Sequence, residues 1–249
     1  MALALHRHPL SHFAEKARAA LDFKGLDYDV VDHAPRAEPL ALYRLAARDA
    51  LPALDHDGES VRGATAIALH LERAFPAGAG RRALLPDDIR RRREALDLDA
   101  RVDDVLGAHA PWLLYEAALR DRPLFDELAQ AALPLRGAAL TAARAVGLAS
   151  RAAMLVPTSR RPFDEARAAV RALLGELVDR LERTPYLLGD VPTLPDVGAA
   201  GLSLLLKFPA SRHLARAGLA GRGVPELTAD PRLGRFFAWR DAFYRDFLR

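Results

Sequence analysis

The sequence predicts a two-domain α+β protein, in which a small α/β unit of order βαβ–αββα precedes an all-α region. Pro9 to Phe13 indicates the end of a strand and the start of a helix, with Ser11 as the N-cap. His56-Asp57-Gly58 is typical of a β-hairpin turn. Beyond Pro76 the apolar residues recur at helical spacing, and no segment has a convincing strand pattern.

The predicted elements of the first unit follow from apolar alternation, helical spacing and turn residues. In chain order they are a strand over 4–8, a helix that begins after Ser11, a strand over 28–32, a weaker helix over 39–48, a hairpin of strands over 53–55 and 60–62, and a helix from Thr65 to Pro76.

The rest of the chain is predicted to be helical, and the Pro- and Gly-containing stretch from Pro76 to Pro86 indicates a linker. The expected domains are therefore 1–77 and 88–249, joined by a linker over 78–87. The predicted helices span 89–115 with a kink at Pro111, 124–155 with breaks at Pro134 and Gly147, 163–183, 195–208 and 231–248.

Composition excludes several classes of function. The chain has 249 residues and a formal net charge of +3, because 33 carboxylates offset 36 Lys and Arg residues. No nucleic-acid partner is expected, and the run Arg90 to Arg93 is interpreted as a solvated or dimer-facing helix start. The absence of cysteine excludes disulfides, thiolate metal sites and a cysteine nucleophile. No segment has the length of a signal-peptide core or a membrane span, so a cytoplasmic location without a membrane partner is expected.

The segment from Tyr186 to Asp196 contains a specific helix-start signal, since Thr193 and Asp196 form a predicted capping box. With five further motifs it resembles the soluble glutathione S-transferase superfamily over essentially the whole chain. The resemblance implies a thioredoxin-like N-terminal domain, an all-α C-terminal domain, a cleft between them and a homodimer. The further motifs are Pro9-x-Ser11, Lys16-x-Arg18, Lys24-Gly25-Leu26, Leu51-Pro52 and Ala66-Ile67.

The resemblance implies an enzyme that adds the thiol of glutathione, its co-substrate, to a small hydrophobic electrophile. Ser11 matches the position that touches the glutathione sulfur, where a hydroxyl and a helix N-terminus favour the thiolate. Ser11 as a helix cap alone is the alternative. His12 is a second candidate catalytic residue, as a general base beside Ser11.

The predicted glutathione-binding residues are Leu51, Pro52, Gly63, Ala64 and Thr65. Pro52 resembles the family's cis-proline, which turns the preceding backbone toward the cysteinyl unit. Members that bind glutathione usually have an acidic or amide residue and then Ser or Thr where this chain has Gly63 and Ala64. Each lost hydrogen bond to a charged group removes about 1.5–3 kcal/mol. Thr65 lies one position later and offers a reduced γ-glutamyl site.

The electrophile is expected near Leu10, Tyr43 and three residues that fall at helical spacing on one predicted helix. For those three residues, the alternative is that they pack in the ordinary core between the two domains. His6, His8 and His12 lie close together in the sequence, but only His6 and His8 share a face of the predicted strand. No metal site is expected, because no third ligand can be identified there. Two other functions stay open: a glutathione-independent enzyme that uses the same cleft, and a non-catalytic binding or regulatory protein. The predicted substrate-pocket residues are Leu10, Tyr43, His109, Trp112 and Tyr115.

Overall fold

The structure is a computed structural model that describes residues 2–33, 51–78, 80–132, 141–142, 145, 157–214 and 216–248. It confirms the predicted two-domain α+β fold class. The N-terminal unit has a four-stranded mixed sheet in the order β2-β1-β3-β4. Its strands are β1 (Leu3–Arg7), β2 (Asp29–Asp32), β3 (Ala53–His56) and β4 (Glu59–Arg62).

The sheet has a thioredoxin-like pairing, since β1 runs parallel to β2 and antiparallel to β3. The predicted hairpin is present: β3 pairs antiparallel with β4, and both residues of the turn, Asp57 and Gly58, have positive φ angles of 48° and 92°. Two consecutive positive φ angles match the turn that Asp-Gly favours between twisted strands. The Leu51-Pro52 peptide bond is cis, as the resemblance implied.

Apart from its loops, turns and isolated bridges, the rest of the described chain is helical. Two belong to the N-terminal unit, α1 (His12–Phe23) and α2 (Ala64–Ala74). The C-terminal region contains α3 (Ile89–Arg120), α4 (Arg122–Ala132), α5 (Pro157–Leu181), α6 (Leu194–Leu202), α7 (Pro225–Thr228) and α8 (Pro231–Phe247), with 3₁₀ turns at Ser203–Leu205 and Ala217–Leu219.

The observed helix bounds differ from prediction at several ends. Helix α3 passes through Pro111 and continues to Arg120, whereas the predicted helix ended at residue 115. The predicted helix over 195–208 is shorter, because α6 gives way to a 3₁₀ turn after Leu202. The predicted helix over 39–48 lies outside the described residues. The same holds for most of the second half of the helical region predicted over 124–155. Within the described part of the chain, no helix is long and apolar enough to cross a membrane.

Helix α1 is buried on nearly every side, since it packs against α2 in its own unit and against α6 in the C-terminal region. Gly201 permits this approach to α6, because a Cβ at that position would lie 2.7 Å from the Cα atom of Lys16. The charged residues of α1 are therefore enclosed, and each requires a partner. Arg18 forms ion pairs with Glu15 and Asp22, and the Tyr244 hydroxyl of α8 donates to Glu15.

Candidate functional site

A cavity of about 560 Å³ lies between the N-terminal unit and α3. All five residues that were predicted to bind glutathione line this cavity. Two of them lie just before β3, and the other three lie at the start of α2. The lining residues of the N-terminal unit are Phe13, Leu51, Pro52, Arg62, Gly63, Ala64, Thr65 and Ala66, and those of α3 are Leu96, Asp99, Ala100, Asp103 and Asp104.

The start of α2 presents backbone donors to the cavity. Gly63 is the N-cap and has a φ of 91°, a conformation that favours glycine, and it offers no side-chain cap. The first three N–H groups of a helix have no partner within it. Here those groups belong to residues 64–66, and all three residues line the cavity. The amide of Gly63 donates to the carbonyl of Pro52 at 2.8 Å, which ties the helix start to the cis peptide. An anionic group suits this position.

The ammonium group of Lys16 is buried next to the cavity, between the start of α2 and helix α3. Lys16 of α1 is fully buried, and its Nζ donates to Asp99 Oδ2 at 2.7 Å and to Asp103 Oδ1 at 2.5 Å. The same Nζ donates to Thr65 Oγ1 at 2.9 Å, and the Thr65 hydroxyl donates to Asp103 Oδ2 at 2.7 Å. We call Lys16, Thr65, Asp99 and Asp103 the polar wall. It joins α1, α2 and α3.

Burial raises the pKa of Asp99 to about 6, with the neighbouring Asp103 adding to the rise and Lys16 opposing it. Asp99 Oδ1 has no hydrogen-bond partner and would lie 2.4 Å from a Cβ on Gly198. The glycine thus leaves room for the carboxylate against α6. The Thr65 hydroxyl donates its only proton to Asp103 within the polar wall, so the predicted contact of Thr65 with the γ-glutamyl end stays a prediction.

The two predicted catalytic residues have different surroundings. Ser11 is the N-cap of α1, and its Oγ accepts a hydrogen bond from the amide of Ala14 at 3.2 Å. A hydroxyl that accepts in this way keeps its own proton for donation. Ser11 is partly buried and is not among the residues that line the cavity.

His12 is fully buried and does not line the cavity. Its Nε2 lies 3.0 Å from the carbonyl oxygen of Gly107 and donates to it, and its Nδ1 has no partner. Burial lowers the pKa of His12 to about 4. The ring is neutral, as a general base must be, but it is enclosed away from the cavity, so the predicted role of His12 as a general base stays a prediction.

The predicted substrate-pocket residues do not converge on the cavity. Leu10 is buried in the hydrophobic core of the C-terminal region. Trp112 and Tyr115 pack around Phe163 of α5, with the Trp112 and Phe163 rings edge to face at 5.4 Å. This contact joins α3 to α5 within the C-terminal region, so these two side chains contact neither the cavity nor the N-terminal unit there. His109 is also absent from the cavity lining, and Tyr43 lies outside the described residues.

Eight of the thirteen lining residues were not predicted as site residues, and Phe13, Arg62, Asp99 and Asp103 are four of them. Asp99 and Asp103 are four positions apart on α3, a spacing that places them on one helical face. That spacing was the available signal, but carboxylates on a helix usually face solvent. Phe13 and Arg62 complete the set. Phe13 is predicted only as a helix-face residue, and Arg62 only as the end of the hairpin.

The three N-terminal histidines do not converge. His6 hydrogen-bonds to His33 and Asp55, and His8 hydrogen-bonds to the carbonyl oxygen of His33. His12 is buried against α3. Among the residues that the structure describes, no group of three or more His, Cys, Asp or Glu side chains is arranged to hold a metal ion.

Comparison with known proteins supports the resemblance. Residues 5–81 match the family model described as glutathione S-transferase, N-terminal domain. A glutathione S-transferase from Rhodospirillum rubrum F11 is 22% identical and superposes with a TM-score of 0.60, covering 99% of this chain and 90% of that chain. The comparison with curated proteins found no match.

Two further solved structures are similar over nearly the whole chain. Rice GST1 in complex with glutathione is 19% identical, with a TM-score of 0.57 and coverage of 100% of this chain and 90% of that chain. The β-etherase LigF from Sphingobium sp. strain SYK-6 is 20% identical, with a TM-score of 0.53 and coverage of 96% and 99%. These findings show that the chain has the glutathione S-transferase fold over nearly its whole length, and that residues 5–81 match that family's N-terminal domain.

Proposed function

We propose that this protein is a glutathione-dependent transferase that adds the glutathione thiol to a small hydrophobic electrophile. The observation that carries the proposal is the cavity lined by Leu51, Pro52, Gly63, Ala64 and Thr65. These residues were assigned to glutathione from sequence motifs, and they lie around one space. A structural neighbour of the same fold is a complex with glutathione.

The backbone of Leu51 and the start of α2 would hold the tripeptide. Leu51 precedes Ala53, the first residue of β3 that pairs with β1. Its peptide groups are therefore placed to bind an extended cysteinyl unit as an added strand. The N–H groups of residues 64–66 would hold a carboxylate of the ligand, favoured by the positive end of the helix dipole.

Ser11 is the proposed thiol-activating residue. Its Oγ accepts from Ala14, so its proton is free to be donated to the sulfur, and the N-terminus of α1 favours negative charge there. Stabilising the thiolate lowers the pKa of the bound thiol and raises the fraction of nucleophile. The thiolate sulfur would then form a bond to the electrophilic carbon of an activated double bond. The π bond breaks, its electron pair moves onto the rest of the acceptor, and the product takes up a proton from water, so that the whole thiol is added. A homodimer in the cytoplasm is the proposed setting.

Titration with glutathione, followed by calorimetry and by thermal shift, tests the proposal. We expect binding at millimolar or lower glutathione and a rise in the melting temperature with ligand concentration. Ala66→Glu should weaken binding by about tenfold or more, since it places a carboxylate among the N–H groups that would receive the ligand.

Ala74→Glu is the matched control, because Ala74 is the last residue of the same helix and does not line the cavity. Ser11→Ala should retain binding and lose most of the turnover. The absence of binding at millimolar glutathione would contradict the proposed function. Turnover that survives Ser11→Ala would remove Ser11 as the activating residue.

A further inference from the structure

Ser11 lies in a segment whose own backbone bonds are local. Strand β1 ends at Arg7, and beyond it the amide of Ser11 donates to the carbonyl of His8, while the carbonyl of Ser11 accepts from the amide of Glu15. These bonds form the start of α1, but they do not determine where that start lies relative to the cavity. That position depends on what the neighbouring side chains contact.

Three neighbours of Ser11 contact the C-terminal region. Leu10 is buried in the core of the C-terminal helices and, among the residues that the structure describes, is the only one from the N-terminal unit in that buried cluster. His12 Nε2 donates to the carbonyl oxygen of Gly107 on α3 at 3.0 Å. The Phe13 ring packs at the same glycine, where a Cβ would lie 2.4 Å from the ring. Contacts with the C-terminal helices therefore hold the chain on both sides of Ser11.

The hydrogen bond from His12 is the directional contact among these. Apolar packing of Leu10 and Phe13 is non-directional, whereas a hydrogen bond restricts both a distance and an angle. The acceptor is available because Pro111 has no N–H group to donate to Gly107 within α3. His12 is fully buried, so its loss would leave that carbonyl without a donor.

We infer that His12 is a positioning residue for Ser11: its hydrogen bond to Gly107 fixes the start of α1 against α3 and thereby places the Ser11 hydroxyl at the sulfur of bound glutathione. The inference rests on the proposed function. It assigns His12 the role of a hydrogen-bond donor, whereas the sequence predicted a general base. A displacement of about 1 Å in the reacting groups can lower a rate by about a hundredfold.

Two substitutions at His12 separate the donor from the base. His12→Gln keeps an N–H donor near the position of Nε2 but has no titrating ring, and His12→Phe keeps a ring without a donor. With glutathione and benzylideneacetone, which carries an activated double bond, we expect His12→Phe to lower kcat by about tenfold or more. The dissociation constant for glutathione should stay within about threefold of the wild-type value, and His12→Gln should recover kcat to within about threefold.

The pKa of the bound thiol is a readout that a loss of stability alone does not change. The ultraviolet absorbance of the thiolate, followed against pH in the complex with glutathione, gives this pKa. The thiol pKa should be higher in His12→Phe than in the wild-type protein, because a displaced hydroxyl and helix N-terminus stabilise the thiolate less. His12→Gln should keep the wild-type value.

A double variant separates positioning from stability. In His12→Phe the buried carbonyl of Gly107 has lost its donor, which should lower the melting temperature. Adding Pro111→Ala returns an N–H group that can donate to this carbonyl within α3. The double variant should therefore regain melting temperature, while its kcat and thiol pKa stay at the His12→Phe values, because α1 and α3 are still not joined.

His70→Phe is the matched control for the loss of a buried imidazole. His70 lies in α2 outside the cavity lining, is also buried, and its Nε2 shares a hydrogen bond with His56 Nδ1 at 2.9 Å. This variant should retain both kcat and the thiol pKa.

The outcomes distinguish the inference from the proposed function. If glutathione binds but the thiol pKa in folded His12→Phe equals the wild-type value, the inference is overturned and the proposed function stands. If His12→Gln loses as much kcat as His12→Phe, or if the double variant regains kcat together with melting temperature, positioning by His12 is overturned. If glutathione does not bind at millimolar concentration, both are overturned. Circular dichroism checks folding, and if His12→Phe does not fold, the double variant decides.

Discussion

Pro111 accounts for the position of His12. A proline inside a helix has no N–H group, so the carbonyl of the residue four positions earlier loses its donor. In α3 that residue is Gly107, and its carbonyl oxygen accepts from His12 Nε2 at 3.0 Å. Gly107 also leaves room for the ring of Phe13, which a Cβ would contact at 2.4 Å. The imidazole therefore replaces a missing backbone donor and joins α1 to α3.

The buried imidazole predicts acid sensitivity. Burial lowers the pKa of His12 to about 4 from an ordinary value of 6.5. The unfolded chain thus takes up a proton before the folded one, and the stabilisation present above pH 6.5 is lost as the pH falls toward 4. A shift of this size is worth about 3 kcal/mol.

Denaturant unfolding of the wild-type protein between pH 7 and pH 4 measures this loss. His12→Gln keeps a side-chain donor without the titrating ring, and should flatten the dependence of the unfolding free energy on pH. His109→Gln, on the partly exposed side of α3, controls for the loss of an imidazole. An equally steep dependence in His12→Gln would show that other groups cause the acid sensitivity.

At the residue scale, the sequence predicted several of the residues that line the cavity, but not the hydrogen bonds that the lining side chains form. Leu51, Pro52 and Gly63 to Thr65 were assigned because they resemble short motifs of a known family, and such motifs are local in the sequence. The polar wall was not, since its bonds join Lys16, Thr65 and Asp103 across 38 to 87 positions of the chain. Local spacing also placed His12 beside Ser11, but packing against Gly107 decided which way the ring faces.

Most of the predicted helix starts lie within two residues of the observed ones, with the exception of α5, which begins at Pro157 rather than at residue 163. The predicted capping box of α6 is present: Asp196 Oδ2 accepts from the amide of Thr193 at 2.8 Å, and Oδ1 accepts from the amide of Leu187 at 2.9 Å. Burial nonetheless raises the pKa of Asp196 to about 6 against these bonds. Helix ends were less predictable, because the last turns of α3 and α6 depend on neighbouring elements rather than on a local stop signal.

The close packing of α1 on α6 predicts that two Gly→Ala substitutions, at Gly201 and at Gly175, will have different effects on the unfolding free energy. Gly201→Ala would place a Cβ 2.7 Å from Lys16 Cα and 2.8 Å from its backbone nitrogen. Backbone atoms of a packed helix cannot move away cheaply, so we expect a loss of about 1–3 kcal/mol in unfolding free energy. Denaturant titration measures it.

Gly175→Ala is the matched control, since it lies inside α5 and its nearest neighbour would be the guanidinium of Arg232 at 3.9 Å. That contact is ordinary, and alanine is the better helix former by about 0.5–1 kcal/mol. The control should therefore be neutral or stabilising. Equal effects at both positions would contradict the close packing of α1 on α6.

At the scale of the whole molecule, α1 is part of the N-terminal unit in the sequence, but it packs against both the N-terminal unit and the C-terminal helices. Burial alone would raise the pKa of Glu15, but the charge and hydrogen bonds of Arg18, together with the hydrogen bond from Tyr244, lower it to about 2. The carboxylate is thus held ionised between α1 and α8. An enclosed polar network of this kind is stable only while both parts remain in place.

We therefore expect the N-terminal unit and the C-terminal helices to unfold in one transition, and Tyr244→Phe to lower its midpoint without dividing it. The lost hydrogen bond to a buried carboxylate is worth about 1.5–3 kcal/mol. Hydrogen exchange measured by mass spectrometry through the transition reports on β1 and α8 separately. Tyr115→Phe, at a ring packed near Phe163, controls for the loss of a hydroxyl. Because Glu15 is stabilised as the carboxylate, this contribution is present above pH 4.5 and is lost as the pH falls through 2. Exchange of β1 and α8 at different denaturant concentrations in the wild-type protein would contradict the coupling.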